Sequence, residues 1–204
     1  MFEKPASTDV PIAAPLARRW SGRAFDPDRP VPGEVLLALC EAARWAPSCY
    51  GDEPWRFVIW DRCADPDHWA RAFATLAEGN RAWARDAPIL MLAAAATVFA
   101  RDGRANRWGA YDAGAAGMSL CVQATESGLM VHQMGGFDPE RLRLAFAIPE
   151  TFDPMAMMAI GYQLPESRIP QGVREREYAP RSRRRLGEGF FLGEWGRPGP
   201  NVVL

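Results

Sequence analysis

Gly128-Leu129-Met130-Val131-His132-Gln133-Met134-Gly135-Gly136-Phe137-Asp138-Pro139-Glu140 contains a helix stop, a short strand, a double glycine and a helix start in one unbroken run. Glycine supplies the left-handed residue that commonly closes a helix. Leu129 to Met134 is apolar, short and bounded by glycines, which reads as a strand. Asp138-Pro139-Glu140 joins a capping side chain, a first-turn proline and a first-turn acid, so a helix follows through Ala147. Upstream, Tyr111 to Ser127 is almost wholly small and apolar, with Gly114, Ala115, Gly117 and Met118 among its residues. That composition predicts a buried central helix or a seam between subunits.

Working outward, Trp55 to Trp60 is aromatic and β-branched between Pro54 and Asp61, and predicts a strand. The apolar run Ile89–Ala96 suits a buried strand or a helix by its pattern, with Pro88 and its short length favouring the strand, and the run Met155–Tyr162 predicts a further strand. Val35, Leu36, Leu39, Cys40 and Ala43 recur at helical spacing in a segment that must stop before Pro47. Further helices are expected near Pro15, over much of Asp67–Ala77, and from Asn80 to Asp86. The connections are irregular, and no glycine fingerprint follows the first strand, so the class is α+β rather than a doubly wound parallel sheet.

The 204 residues, 48% of them hydrophobic, suffice for one domain over 1–204. Residues 1–15 read as an irregular lead-in ordered on another subunit, and 189–204, with Phe190, Phe191 and Trp195, as an extended tail docking on a partner subunit. A formal charge of −1 gives no chain-wide field for nucleic acid or anionic membrane. Local clusters stand out instead: Arg174, Arg176, Arg181, Arg183, Arg184 and Arg185 crowd one late segment. Cys40, Cys49, Cys63 and Cys121 form no CxxC pair, which disfavours zinc and thiol-redox motifs. With no apolar run long enough for a bilayer and no leader pattern, a soluble, cytoplasmic chain is expected.

Arg18-Arg19-Trp20-Ser21-Gly22-Arg23-Ala24-Phe25, then Ala46-Pro47-Ser48-Cys49-Tyr50-Gly51-Asp52-Glu53-Pro54-Trp55-Arg56-Phe57, then Gly135-Gly136-Phe137-Asp138, Ala159-Ile160-Gly161-Tyr162 and Arg181-Ser182-Arg183 follow one another along the chain. In order and approximate spacing they resemble the nitroreductase family. The resemblance implies a nitroreductase-like fold, with a central mixed or antiparallel sheet flanked by helices. It also implies a homodimer with an exchanged terminal segment and FMN at the subunit interface.

On physical grounds Arg19, Ser21 and Arg23 alternate along the chain, so an extended backbone aims two guanidinium groups and a hydroxyl at one anion. The plain alternative is a solvated arginine face. The resemblance implies that Arg19, Trp20, Ser21 and Arg23 hold the flavin phosphate and ribityl chain, with Arg23 near the pyrimidine edge. Arg181 and Arg183 would close on the same phosphate. Pro47, Ser48, Cys49 and Gly51 would lie in a loop reaching the partner's flavin, Asn80 would read the pyrimidine, and Gln133, Met134, Gly135 and Gly136 would line the ring. The Gly135 N–H is implied near flavin N5. The chain departs from the family where Gly51 replaces a common Asn, Glu53 a Gln, and Trp83 a basic residue. Cys49 has no Cys–His signature around it and reads as a packing residue.

The chemistry so implied belongs to the flavin, with no catalytic side chain and no metal. NADH or NADPH would deliver electrons to FMN, and a planar nitroaromatic or quinone-like acceptor would remove them in a ping-pong cycle. Other readings stay open: dehydrogenation or flavin breakdown on the same scaffold, a non-catalytic FMN-binding or sensing dimer, or a cofactor-free interaction protein.

Overall fold

The computed structural model describes residues 2–197. Four strands, β1 (Trp55–Asp61), β2 (Ile89–Ala96), β3 (Leu129–Met134) and β4 (Phe152–Tyr162), form one sheet in the order β1-β2-β4-β3. Every neighbouring pair is antiparallel, with Phe57 opposite Ala93, Met91 opposite Met158 and Val131 opposite Ile160. The sheet is therefore antiparallel throughout its four strands.

β2 is central because both of its faces are apolar. Ile89, Met91, Ala93 and Ala95 enter one core with Leu39, Ala43, Ala116 and Leu120, whereas Leu90, Leu92 and Ala94 enter another with Trp60, Trp69, Trp83 and Leu142. Strand periodicity thus feeds two helical layers from a single run. The first layer consists of α2 (Gly33–Arg44) and α5 (Gly109–Glu126); the second contains α3 (Pro66–Phe73), α4 (Glu78–Ala84) and α6 (Pro139–Phe146). Asp65 and Asp138 cap α3 and α6 by accepting the N–H groups of His68 and Arg141, and each is followed by proline at the first helical position.

Several boundaries differ from the sequence expectation for identifiable reasons. α3 ends at Phe73 instead of continuing towards Ala77, because the chain leaves it to pair Leu76 with Phe137 and to donate the Ala77 N–H to the Gly136 carbonyl at 2.9 Å. β4 begins at Phe152 rather than Met155, since β2 continues pairing through Ala96; a register shift between Ala93 and Ala94 accommodates Pro154. Besides the short α1 (Ala14–Arg18), there is α7 (Gln171–Tyr178), which the sequence pattern did not anticipate. Its charged residues carry no apolar period, and tertiary contacts hold it.

Those contacts involve the start of the lead-in. Residues 2–6 are ordered on their own chain: Phe2 packs edge-on against Tyr178 and Trp20 at 4.7 and 6.2 Å, and the Ala6 N–H donates to Ala17 O at 2.8 Å. Of the aromatic tail, Phe191 and Trp195 approach to 5.2 Å, and residues 198–204 lie outside the described residues.

Candidate functional site

α1 ends where Arg19 turns to extended backbone, its N–H donating to Pro15 O at 2.9 Å. The segment that follows is fixed by Glu177 of α7. This fully buried carboxylate accepts the Arg23 N–H at 2.9 Å and the Ala24 N–H at 3.3 Å. Burial raises its pKa, partly opposed by those hydrogen bonds and by Arg23 and Lys4. Lys4 donates its Nζ to the Glu177 carbonyl at 2.8 Å and lies 4.9 Å over the Trp20 ring.

Arg19, Arg181 and Arg183 line one cavity of about 310 Å³, together with Ser7, Thr8 and Met118. Arg181 is fastened by Nη1 to the Lys4 and Ala17 carbonyls at 2.6 and 3.1 Å, and Arg183 reaches Ser182 O at 2.8 Å. None of the ion pairs among the described residues involves any of the three. Burial, then the neighbouring charges of Arg19 and Arg183, lower the pKa of Arg181. The result is an unneutralised cationic pocket with guanidinium donors to spare, which suits a phosphate.

Arg23 does not join that cavity, which corrects the expectation that Arg19, Ser21 and Arg23 aim at one anion. It lies 5.8 Å over the Trp83 ring and lines a different cavity, while Ser21 is exposed and lines neither. The backbone turns between Arg19 and Arg23 because Glu177 holds the second half of the segment. Trp83 is buried, stacked on Phe25 at 6.2 Å and against His132 at 4.4 Å, so the position is a packing element.

His132 Nδ1 donates to the Gly22 carbonyl at 3.0 Å. Burial, with some repulsion from Arg23, pushes its pKa down to about 4. A depressed histidine contributes stability that is complete above its unfolded pKa of 6.5 and lost as pH falls towards 4. Melting temperatures from pH 7.5 to 4.5 should therefore fall by an amount corresponding to roughly 2–3 kcal/mol. Glu177 acts in the opposite sense, since a raised carboxyl pKa favours the fold as protons are added. A shallower acid slope in His132→Gln is the expected result, and an unchanged slope would remove His132 as its source.

The Ser48–Glu53 loop is held by two acids, Asp112 of α5 and Asp52 of the loop itself. Asp112, buried on the first turn of α5, accepts the Cys49 N–H at 2.9 Å. Asp52 accepts the Ala100 N–H at 3.0 Å and the Asn106 Nδ2 at 3.3 Å, and the Ser48 hydroxyl accepts the Glu53 N–H at 3.1 Å. These bonds sustain left-handed backbone at Tyr50, Gly51 and Glu53, with φ of 58, 66 and 47°. Gly51 meets this demand without strain and Asn tolerates it, so the departure from the family pattern preserves the loop and deletes an amide. Pro47 is exposed and Cys49 half-buried, and neither histidine pairs with Cys49: His68 contacts Asp65 and His132 contacts Gly22. Asp112 and Met118 sit roughly 9 Å apart along the α5 axis. Within one chain the loop and the arginine cavity are therefore separate.

At the end of β3, Met134 is buried and Gln133 exposed, its Nε2 donating to Cys121 Sγ at 3.3 Å. Gly135 is exposed, and a Cβ there would meet no atom within 4 Å. Gly136 is the crowded glycine, because its Cβ would lie 2.8 Å from Asn80 Nδ2. Asn80 donates that nitrogen to the Gly136 carbonyl at 2.9 Å, which fastens α4 to the turn. One donor of the predicted pyrimidine reader is thus spent within the protein.

Sequence reasoning missed Asp112, Asp52 and Glu177. Asp112 carried a signal, as a carboxylate followed by a long small and apolar stretch before the next acid, Glu126. Glu177 carried none, being one charge among Arg174, Glu175 and Arg176. No group of three or more His, Cys, Asp or Glu suited to a metal occurs among the described residues, and no described helix is long and apolar enough to cross a membrane.

A four-stranded antiparallel sheet between helical layers, with an arginine-lined cavity that joins early and late segments and a glycine turn at a strand end, defines the α+β class of this domain. The chain belongs to the nitroreductase family, whose model matches residues 16–162. An uncharacterized 15.4 kDa protein in ask 5'region of Mycolicibacterium smegmatis is 38% identical over 130 residues, covering 62% of this chain and 86% of that protein. The major NAD(P)H-flavin oxidoreductase of Aliivibrio fischeri is 27% identical over 92 residues, 45% of this chain and 42% of the relative. The crystal structure of an oxidoreductase containing FMN superposes with a TM-score of 0.84 at 35% identity, covering 93% of this chain and 95% of that one. A nitroreductase in complex with FMN from Desulfovibrio desulfuricans shares the fold, with a TM-score of 0.63 at 22% identity and coverage of 81% and 95%.

Proposed function

We propose that the protein is an FMN-dependent oxidoreductase that takes electrons from NADH or NADPH and passes them to nitroaromatic or quinone-like acceptors, working as a homodimer. The observation that carries this reading is the convergence of Arg19, Arg181 and Arg183 on one cavity without a neutralising carboxylate. The similar FMN-containing oxidoreductase and the name of the Aliivibrio fischeri relative support it.

The residues present fit FMN. Arg19 and Arg183 would hold the phosphate, with Arg181 braced between them and the backbone. Arg23, over Trp83, would place positive charge at the pyrimidine edge. The open Gly135 lets a ring approach the backbone, where its N–H orients the reacting edge. When bound, FMN supplies the two-electron carrier that lets donor and acceptor use one site in turn.

A second copy of the chain supports the geometry. Leu37, Trp45 and Tyr111 are 70, 75 and 75% exposed on the α2–α5 layer, and Gly135 lies open on a single chain. Large exposed apolar side chains mark association surfaces. An apposed subunit would cover them, wall the ring slot and bring the Ser48–Glu53 loop to the partner's flavin.

The expected observations are a yellow purified protein that sediments as a dimer, bleaches anaerobically with NADH or NADPH, and recovers its colour on addition of menadione. Colourless protein that fails to take up FMN would refute cofactor binding. Yellow protein that neither donor bleaches would leave only a passive binder.

A further inference from the structure

Beyond the arginine cavity assigned to the flavin phosphate, a second cavity of about 310 Å³ is lined by Arg23, Arg85, Arg176, Asp86, Gly79 and Gly172. Three arginines and one aspartate thus line it. None of these four charged side chains takes part in an ion pair among the described residues. Unpaired arginines scattered over a surface need no explanation, but three around one concavity make a local positive field.

The start of α7 faces the same space and adds to that field. Its N-cap is Pro170, which offers no capping side chain, and its first turn contains no acidic residue. The Val173 and Arg174 N–H groups return to Pro170 O at 3.0 and 3.1 Å, whereas those of Gln171 and Gly172 have no partner among the described residues. A Cβ at Gly172 or Gly79 would meet nothing within 4 Å, so the approach to those N–H groups is open. Free N–H groups, the positive end of a helix and guanidinium forks all favour a compact anion.

This cavity shares Arg23 and Trp83 with the proposed pyrimidine edge. We propose that it receives a phosphate or carboxylate group carried by the substrate whose reacting part lies on the flavin, so that the enzyme favours anionic substrates over neutral ones of the same reactivity. The inference rests on the proposed function. Either the dinucleotide donor or an acidic acceptor can supply that anion, and the chemistry of recognition is shared.

The test uses FMN-loaded protein, with Arg85→Glu, Arg176→Glu and Gly172→Glu as separate variants. None of these touches the Arg19–Arg183 cavity, so FMN content and the visible spectrum should match wild type and report correct folding. Gly172→Glu serves as an independent probe, because it puts a carboxylate over the free N–H groups without removing an arginine. Calorimetry with inorganic pyrophosphate should show saturable binding to wild type, weakened at least tenfold in each variant. KM should rise tenfold or more, with kcat retained, for NADPH or for 4-nitrobenzoate, while KM for methyl 4-nitrobenzoate stays constant. A rise for NADPH alone identifies the donor as the source of the anion, and a rise for 4-nitrobenzoate alone identifies the acceptor; both support the site. Absence of pyrophosphate binding overturns the proposal, as does binding that the variants weaken without altering either anionic KM, which marks an adventitious ion only. Wild type that binds pyrophosphate but takes up no FMN would overturn the proposed function and this substrate role, leaving a bare anion site.

Discussion

Arg19→Glu combined with Arg183→Glu is expected to abolish retention of FMN, weakening its Kd by a thousandfold or more. Each charge-assisted hydrogen bond from a guanidinium to a phosphate contributes about 1.5–3 kcal/mol. Losing both, and placing carboxylates beside the phosphate, amounts to roughly 4–6 kcal/mol, or three to four orders of magnitude in affinity. The apo fold should be spared, because neither side chain pairs with a carboxylate and Arg181 is already repelled by both. Arg181 is a poorer choice for this test, since it also braces the Lys4 and Ala17 carbonyls. Quenching of FMN fluorescence by apo protein gives the affinity, and the apo melting temperature controls for folding. Stoichiometric FMN in the purified double variant would move the phosphate elsewhere.

Glu177→Ala should be the most damaging single substitution for stability. It leaves the Arg23 and Ala24 N–H groups without their acceptor in a buried setting and opens a void beneath them. An unsatisfied buried donor costs about 1–3 kcal/mol, so a total on the order of 3–4 kcal/mol is expected. For a chain of this size that corresponds to a fall in melting temperature of roughly 6–16 °C. Glu177→Gln keeps one carbonyl acceptor and removes a buried charge that burial already disfavours, so it should lose less than half as much. Equal melting temperatures for wild type and Glu177→Ala would show that the segment around Arg23 is held by other means. Because Arg23 lies on that segment, Glu177→Ala should also weaken FMN binding, while Glu177→Gln largely retains it.

The four strands and most of the helices were legible from sequence, the β2 run least directly. An unbroken apolar run suits strand or helix, and only Pro88 and the short length favoured the strand; the structure shows its residues alternating between two cores, while the long run of small residues closed by Gly128 forms a buried helix. Capping chemistry placed α6 to within a residue at each end. α7 was illegible since its order comes from Glu177 and Tyr178 meeting distant backbone and rings, which no local period records. The same distinction governs the site. Arg19, Arg181 and Arg183 were identifiable as a set through the family resemblance, and the structure brings them together. The separation of Arg23 from Arg19 was hidden, because two residues in an extended stretch share a face only while nothing bends the chain between them. Likewise the groups that fix the Ser48–Glu53 loop, Asp112 of α5 and the Ala100 and Asn106 partners of Asp52, are distant in the chain, and sequence adjacency says nothing of them.

Arg181 reaches the Ala17 carbonyl across 164 residues of sequence. A nascent chain therefore exposes Arg19 early and cannot complete the cationic cavity until Arg181 and Arg183 have also left the ribosome. A phosphate held there would favour only a chain that already carries both arginines. Supplying FMN during expression should then rescue yield mainly at the final maturation step, by mass action on the closed form.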